Sequence, residues 1–312
     1  MKVHTEIDHL PRFKNAVVTI GTFDGVHLGH QQIIQQLKSE AARVDGETVI
    51  ITFHPHPRKI VQNRPEQIQL LTTIEERAEL MEKAGIDHLV IVPFTKKFSE
   101  CEPAAYVKDF LHAAFSPSVV IIGYDHKFGK DRKGDYKLLE KFAEQGFFEL
   151  KEIPQHLIND STVSSTRIRN ALNEGDITTA NELLGFEFFF EGIVVRGDQR
   201  GRTIGYPTAN LQVVNEDKLI PANGVYAVRA LLKHGEEKNG MMNIGLRPTV
   251  DGTRKTIEVH LFNFDNDIYG TLLRIYVKSF IRQEKKFGSV EELKAQLDRD
   301  KKVANPNTRD TH

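Results

Sequence analysis

The chain has 312 residues, of which 39% are hydrophobic and 27% are charged, and its formal net charge is −1. These values are typical of a globular protein with room for two domains, and they give no electrostatic reason to expect a nucleic-acid partner. The single cysteine, Cys101, excludes an intrachain disulfide and a cysteine-based zinc cluster, in keeping with a cytoplasmic location. The most apolar later stretch, 183–195, is interrupted by Glu187 and Glu191 and is too short to cross a membrane.

The first predicted strand, 16–20, leads into the sequence GTFDGVHLGH at 21–30, which is followed by a helical pattern. A strand, a tight turn and a helix start place this run where ligands bind in α/β sheets. His27 and His30 share one face of the first helical turn, beside free backbone N–H groups and the positive end of the helix dipole. Gly29 lets a base or ribose lie against the helix. We predict a receptor for nucleotide phosphates; a metal-binding pair and a solvated surface are the alternatives.

Strands and helices alternate up to about residue 184. The runs 48–53, 88–92 and 118–122 are predicted as buried parallel strands, and Thr73 and Glu76 have the spacing of a capping box at the start of a helix. This alternation predicts a doubly wound parallel sheet. No Gly-x-Gly-x-x-Gly run follows the first strand, so a dinucleotide-binding domain of the dehydrogenase kind is not indicated.

A second phosphate clamp is predicted where the run SSTRIR, at 164–169, opens a helix. Its hydroxyl groups and helix-terminal amides, with Arg169 one turn further on, suit phosphate oxygens. A capping serine followed by a solvent-exposed arginine would give the same pattern. The predicted phosphate-binding hydroxyls are those of Ser164, Ser165 and Thr166.

Two loops follow predicted strands in this half. The glycine-containing loop 123–135, which includes Asp125, is predicted to close over substrate at the carboxyl edge of the sheet, or else is a solvated basic loop. His56 lies in a turn bracketed by prolines, where it either faces the site or ends the strand.

From about residue 187 the pattern changes to short β-like runs separated by Gly, Pro and Asn, which predicts an antiparallel barrel. A final helix, 290–304, carries a predicted packing stripe of Val290, Leu293 and Leu297, and the tail after it is expected to fray. The predicted strands are 188–195, 224–232, 256–262 and 272–277.

In this half the sequence GRTIGYPTAN, at 201–210, combines glycines that permit close approach to phosphates with two hard oxygen ligands. Thr208 and Asn210 point the same way from an extended segment, and their hydroxyl and amide oxygens suit Mg²⁺. Taken alone, the run would indicate only a turn. The later alternation TIEVHLFNF, at 256–264, puts Glu258 opposite the apolar face, as either a general base for a hydroxyl nucleophile or an ordinary outward-facing residue.

The run at 21–30 closely resembles the signature of the nucleotidylyltransferase superfamily, and 164–169 resembles its second phosphate motif. In order and spacing the first half looks like the FAD synthetase module of the bacterial bifunctional riboflavin kinase/FAD synthetase (FMN adenylyltransferase) family. The resemblance implies that the phosphate of FMN attacks the α-phosphate of ATP, with Mg²⁺ helping, and that FAD and pyrophosphate form. It implies that His27 and His30 stabilise phosphates and that Arg169 holds the departing pyrophosphate. The other residues expected to bind are Gly21, Phe23, Asp24, Gly29, His56 and Asp125 together with the three hydroxyl residues of the clamp.

The second half resembles a riboflavin kinase domain, through 201–210, Asn243-Ile244-Gly245, Glu258 and the run 281–284. The resemblance implies that Thr208 and Asn210 hold Mg-ATP, that Glu258 activates the riboflavin 5′-hydroxyl, and that Arg282 lies on the flavin side. The remaining expected binding residues are Gly201, Arg202, Gly205 and Pro207. At two positions the chain departs from the family pattern: His54 stands where an acidic residue is common, and His126 where an aromatic one is.

The sequence therefore predicts a bifunctional enzyme with domains at 1–184 and 187–312 and with flavins and ATP as its partners. Loss of activity in one domain, and a different adenylyl acceptor for the first half, are alternatives within enzymes. A flavin- or nucleotide-sensing protein, with a barrel that touches RNA, is the alternative from another class. The near-neutral charge and the lack of an aromatic-basic platform argue against RNA.

Overall fold

A computed structural model describes the chain over 1–61, 68–123, 126–153, 163–197, 201, 204–249 and 252–305. Contacts divide the protein into two compact units, Met1–Ser165 and Thr166–His312. The predicted boundary near residue 184 differs from this division, because the two helices after Ser165 group with the second unit.

The first unit is built on a six-stranded parallel sheet with the order β1-β4-β3-β2-β5-β6. Apolar runs form its central strands, and the first and last strands of the sheet are short and polar. This confirms the predicted doubly wound parallel sheet. The strands are β1 Lys2–His4, β2 Val17–Ile20, β3 Thr48–His54, β4 His88–Pro93, β5 Val119–Ile122 and β6 Glu149–Glu152.

Alternate residues of the central strands supply two separate apolar clusters. Val18 and Val49 belong to one cluster, whereas their neighbours Val17 and Ile50 belong to the other, as the two-residue period of a strand requires. Helices connect the strands. They are α1 Leu28–Arg43, α2 Pro57–Val61, α3 Ile74–Lys83, α4 Lys96–Ser99, α5 Pro103–Ala105, a π-helix Tyr106–His112, α6 Ala113–Phe115 and α7 Tyr136–Glu144, with 3₁₀ turns at Ile7–His9 and Lys130–Arg132.

The capping box that the sequence predicts is present at α3. The Thr73 hydroxyl accepts the Glu76 N–H at 3.3 Å, and the Glu76 carboxylate accepts the Thr73 N–H at 2.9 Å. Both residues are buried, so the helix begins at a fixed point.

The second unit is a closed antiparallel barrel, as predicted, with the order β10-β11-β8-β7-β12-β9. Asn181 attaches the preceding helix to it, since its side chain donates to the Val277 carbonyl at 3.0 Å and accepts the Phe188 N–H at 2.7 Å. The elements are α8 Ser165–Glu174, α9 Ile177–Leu184, β7 Phe189–Val195, β8 Ala209–Val213, β9 Gly224–Leu231, a 3₁₀ turn Lys233–Gly235, β10 Glu237–Thr249, β11 Gly252–Leu261, β12 Leu272–Arg282 and α10 Val290–Ala304.

The terminal helix α10 has the predicted bounds, and its predicted packing stripe is present only in part, since Leu293 and Leu297 are half-buried. Val290 is 55% exposed, while Asp300 and Ala304 are buried. Leu297 does pack against the cluster that contains Ala304. The prediction placed Val290 inside because it counted only apolar residues, whereas the buried face also carries a carboxylate that pairs with an arginine of the barrel. The tail from 306 to 312 lies outside the described residues.

Candidate active sites

The turn between β2 and α1 is held in an unfavourable backbone conformation. Phe23 and Val26 have φ angles of 48° and 40°, in the left-handed region that side chains disfavour, and Gly25 has φ 96°. Such conformations cost about 1–3 kcal/mol each and are common at functional sites. Hydrogen bonds from neighbouring segments maintain the turn: the Gly25 N–H donates to the Thr72 hydroxyl at 2.9 Å, and the Thr52 hydroxyl donates to the Thr22 carbonyl at 3.2 Å.

Asp24 fixes this turn from inside the protein. Its side chain is 1% exposed, and its two carboxylate oxygens accept the N–H groups of Thr72 at 2.9 Å and Leu71 at 3.2 Å. The buried guanidinium of Arg77 lies 3.7 Å from the same carboxylate. These contacts hold the Asp24 carboxylate inside the protein, and the predicted ligand contact of Asp24 stays a prediction.

His27 and His30 are brought together as predicted. His27 caps α1, since its Nδ1 accepts the His30 N–H at 3.4 Å, and the two rings stack with their centroids 3.7 Å apart. His27 is 6% exposed. The pKa of His30 lies well below its ordinary 6.5, first because the ring is desolvated and then because His27 and Arg77 disfavour a second positive charge. The His30 ring is therefore neutral at neutral pH.

One buried ring atom of His30 is unpaired in the part of the chain that the structure describes. Its Nδ1 is buried and makes no hydrogen bond among the described residues. Gly29 contributes close packing here, because a Cβ at that position would lie 3.3 Å from Nδ1 of His27. Gly21 is similar, since a Cβ there would lie 3.0 Å from the Phe23 ring. The ring of Phe23, 3% exposed, has its centroid 4.9 Å from that of His30.

The start of α8 reaches the same turn, because the Ser165 hydroxyl donates to the Asp24 carbonyl at 2.9 Å. Ser164 and Thr166 are exposed, and Arg169 is half-buried one helical turn further on. The structure thus places Ser165 beside the histidine turn, and the phosphate roles of Ser164, Thr166 and Arg169 stay predictions.

Of the two predicted loop residues His56 and Asp125, the structure describes only His56. The ring Nδ1 of His56 accepts the Arg58 N–H at 3.2 Å at the start of α2. Asp125 lies outside the described residues. His126, where the chain departs from the family pattern, is half-buried, and its ring centroid is 6.0 Å from that of Phe128.

Sequence reasoning missed a group of aromatic residues at the carboxyl ends of β3 and β4. The centroids of Phe53, Phe94 and Phe98 are 5.4 to 5.8 Å apart in pairs, and all three rings are partly exposed. The signal was available, because Phe53 ends one predicted parallel strand and Phe94 closely follows the next, at the edge where ligands bind.

In the barrel, the segment before β8 makes a tight turn around Gly201. The Gly201 carbonyl accepts the N–H groups of Ile204 at 3.2 Å and Tyr206 at 2.9 Å. A Cβ at Gly201 would lie 2.1 Å from the Tyr206 carbonyl oxygen, so only glycine fits. Gly205 follows with φ 83° and open space around it. Arg202 lies outside the described residues.

Two side chains hold this turn against the barrel. The Tyr206 hydroxyl donates to the Asp298 carboxylate of α10. The Nδ1–H of His260 donates to the Pro207 carbonyl at 2.8 Å, and burial lowers the pKa of this histidine. The segment that carries Thr208 is therefore fixed at both Tyr206 and Pro207.

Strand pairing brings Thr208, Asn210 and Glu258 together. Asn210 on β8 is the register partner of Glu258 on β11. The Thr208 hydroxyl donates to Oε2 of Glu258 at 3.4 Å, and the Glu258 side chain is 22% exposed. The amide of Asn210 lies against Gly197, where a Cβ would come 2.1 Å from its Nδ2. A carboxylate, a hydroxyl and an amide thus converge at the junction of two strands.

A cavity of about 280 Å³ opens beside Thr208. Its walls include the apolar side chains of Val194, Val259 and Leu261 and the loop from Phe264 to Tyr269. No role for that loop is predicted from the sequence. Its aspartates and its asparagine suggest an ordinary turn, and only barrel closure brings it beside Thr208.

Arg282 forms an ion pair inside the second unit. Its guanidinium binds the buried Asp300 of α10 through Nε at 3.0 Å and Nη2 at 2.8 Å. The predicted flavin-side position of Arg282 is not tested by these contacts, which attach α10 to β12.

Arg247 and Glu284 are further residues that sequence reasoning missed. Nη2 of Arg247 on β10 donates to Oε1 of Glu258. Glu284 accepts the side-chain N–H of Asn243 at 3.1 Å, and a Cβ at Gly245 would meet its carboxylate at 2.3 Å. Glu284 belongs to the run 281–284 that the sequence marks, whereas Arg247 belongs to no marked run, and neither cross-strand contact is visible in the spacing.

Two family models match the chain in succession. A model described as FAD synthetase matches residues 10–167, and one described as riboflavin kinase matches residues 184–307. A bifunctional riboflavin kinase/FMN adenylyltransferase from Listeria monocytogenes is 43% identical over 287 residues, 92% of this chain and 90% of the relative. The protein of that name from Bacillus subtilis is 36% identical over 307 residues, 96% of this chain and 95% of the relative.

A solved structure described as a macrolide-efflux protein from Streptococcus pneumoniae is 30% identical to this chain, with a TM-score of 0.89. The match covers 97% of this chain and 98% of the other. In the part of this chain that the structure describes, no helix is long and apolar enough to cross a membrane. The shared fold thus extends over nearly the whole length of both proteins.

Proposed function

Since this chain belongs to the bifunctional riboflavin kinase/FMN adenylyltransferase family, we propose that it makes FAD from riboflavin in two ATP-dependent steps. The barrel phosphorylates riboflavin to FMN, and the parallel-sheet unit transfers the AMP group of a second ATP to FMN. The observation that carries the proposal is that each family match contains its own convergent set of polar side chains, around His30 in one and Glu258 in the other.

In the kinase step, Glu258 is the general base. It accepts the proton of the riboflavin 5′-hydroxyl as that oxygen attacks the γ-phosphorus of ATP, and the bond to the β-phosphate oxygen breaks to release ADP. The partly exposed carboxylate at the strand junction supports this role, because a carboxylate can reach substrate there without leaving the barrel.

Thr208 and Asn210 are the proposed Mg²⁺ ligands. The residues fit the ion, because the Thr208 hydroxyl donates its proton to Glu258 and so leaves its oxygen lone pairs for a cation. The ion, when bound, neutralises charge on the β- and γ-phosphates. Gly201, Gly205 and Pro207 shape the backbone that approaches these phosphates, and Arg202 is a further proposed binding residue.

The cavity beside Thr208 is the proposed pocket for the base of ATP. Apolar side chains from three strands line one wall, and polar groups of the 264–269 loop line the other. A planar aromatic base with a polar edge suits such a lining.

In the adenylyl-transfer step, a phosphate oxygen of FMN attacks the α-phosphorus of ATP and the bond to pyrophosphate breaks. His27 and His30 stabilise the phosphates, with the partnerless Nδ1 of His30 as the atom that gains a hydrogen bond. Ser164, Ser165, Thr166 and Arg169 hold the departing pyrophosphate. Catalysis is positioning and charge stabilisation, with no covalent enzyme intermediate.

The aromatic group of Phe53, Phe94 and Phe98 is the proposed contact for the flavin ring in this step. The rings lie at the carboxyl edge of the sheet, the edge from which the His27–His30 turn also emerges. Planar flavins stack on such side chains. We further propose that the enzyme works in the cytoplasm, where ATP is available, with flavins and ATP as its partners.

The test is a chromatographic time course of flavins after the protein is mixed with riboflavin, ATP and Mg²⁺. FMN should appear first and FAD should follow. Omission of Mg²⁺ should abolish both products. Accumulation of FMN without FAD would contradict the proposed adenylyltransferase activity. No conversion of riboflavin at all would contradict the proposed kinase activity.

A further inference from the structure

The carboxylate of Glu258 is held at both of its oxygens by residues from two different segments. Oε2 accepts the Thr208 hydroxyl at 3.4 Å, and Oε1 accepts Nη2 of Arg247. Arg247 lies on β10, the antiparallel neighbour of β11, and its side chain is 45% exposed against 22% for Glu258. The arginine is thus the more exposed partner of the pair.

These two contacts are unequal. The Thr208 bond is long and its donor is uncharged, so it orients the carboxylate weakly. The Arg247 bond, from Nη2 to Oε1, is charge-assisted, and such bonds are about twice as strong as those between neutral groups. Without it, the Glu258 side chain regains freedom about its terminal torsions, because nothing else in the described contacts holds Oε1.

We propose that Arg247 is a positioning residue for the kinase reaction: it holds the Glu258 carboxylate in the orientation that receives the 5′-hydroxyl proton. This inference rests on the proposed role of Glu258 as the base. Arg247 itself touches neither the riboflavin hydroxyl nor the metal ligands in this account. Its effect on the reaction passes through Glu258.

The experiment measures FMN formation from riboflavin by the full-length protein with Arg247→Met, Arg247→Lys and the control Arg229→Met. Arg229 also pairs with carboxylates on the barrel, at Glu187 and Glu237, but outside the site. Misplacement of a catalytic group lowers the reaction rate by up to about 100-fold. Arg247→Met should therefore lower kcat by about 10- to 100-fold. It should change KM for ATP and riboflavin by less than about threefold. Arg247→Lys should recover part of kcat, and Arg229→Met should stay within about twofold of the unchanged protein.

A double variant separates positioning from an independent effect. If Arg247 acts through Glu258, then Arg247→Met added to Glu258→Gln should slow the residual reaction by less than about twofold. Full multiplication of the two effects would overturn the proposal, because it would place Arg247 on the phosphates. A raised KM with unchanged kcat, or no change in either, would overturn it as well.

The outcomes also separate this inference from the function on which it rests. FMN formation by the unchanged protein together with an unaffected Arg247→Met variant overturns the inference alone. Absence of FMN formation in the unchanged protein overturns the kinase assignment, and the inference with it. Unchanged KM values in Arg247→Met show that its substrate site is formed, so a lowered kcat then reports on the base and not on loss of the fold.

Discussion

The two sites are built on opposite principles. The histidine site comes from one continuous turn, and buried contacts to Asp24 fix it in a disfavoured backbone conformation. The barrel site comes from separate strands, and side-chain contacts among Thr208, Glu258 and Arg247 set its geometry. A site made from a local turn thus depends on the interior beneath it, whereas a site made across strands depends on the register of the barrel and on the partners of one carboxylate.

The largest expected effect tests whether the sites are independent. Glu258→Gln keeps the shape of the side chain but removes the base, so FMN formation should fall by about 10²- to 10⁴-fold. FAD formation from supplied FMN should be unchanged, because that reaction uses the other unit. Both rates are measured by chromatography of flavins, and a parallel loss of both would show that the two sites are not independent.

The next effect tests whether the interior supports the histidine turn. Asp24→Asn removes the carboxylate charge 3.7 Å from the buried Arg77, so we expect a loss of about 3–5 kcal/mol in the free energy of unfolding of the first unit. Chemical denaturation followed by circular dichroism measures it. The matched control is Asp45→Asn, which removes an exposed partner of Lys14 and should cost at most about 1 kcal/mol. Equal effects of the two changes would mean that the buried pair does not support the turn.

A reciprocal loss is expected at the first site. His30→Ala removes the imidazole ring that we propose to contact the ATP phosphates. FAD formation from FMN should therefore fall by about 10²- to 10³-fold, while FMN formation from riboflavin persists. Steady-state rates with supplied FMN and with riboflavin provide the measurement. Undiminished FAD formation would remove the phosphate role of His30.

The smallest effect concerns pH. The pKa of His30 in the folded protein is lowered below its ordinary 6.5. As the pH falls below 6.5, the unfolded chain therefore binds a proton before the folded protein does. The free energy of unfolding, which is at its full value above pH 6.5, decreases until the pH reaches the folded pKa. The loss is at most about 1.4 kcal/mol per pH unit. Thermal unfolding of the unchanged protein between about pH 7 and 5 should show a steeper fall in Tm than that of His30→Gln. His4 and His260, whose pKa values are also lowered, contribute the same slope to both proteins.

The sequence predicts the parallel sheet and the barrel because their central strands are apolar runs and their turns carry glycine, proline and asparagine. It does not predict β1 and β6. They are short and polar, with Lys2-Val3-His4 in one and Glu149-Leu150-Lys151-Glu152 in the other, and their pairing partners determine them. The strand β10 is likewise missed, since its glycine and polar residues give no clear alternation.

At the sites, the local motif of His27 and His30 could be predicted because the residues that meet are three positions apart. The contact between Arg247 and Glu258 could not, because it depends on how the β10–β11 pair places two side chains eleven positions apart. The structural role of Asp24 was hidden for a similar reason: its partner Thr72 is 48 residues away. Motif reading identifies Asp24 as functional but cannot tell a ligand contact from an internal one.

The polar strand β6 has a consequence for how the protein behaves at high concentration. It lies at the edge of an open sheet, where unpaired backbone groups can recruit another chain. Glu149 and Lys151 form an ion pair at 2.8 Å along it, and Arg43 also binds Glu149. Pairing of a second copy along this edge would desolvate these charges, so the charged side chains of β6 oppose self-association. The closed barrel needs no such protection, since each of its six strands already has a neighbour on both sides.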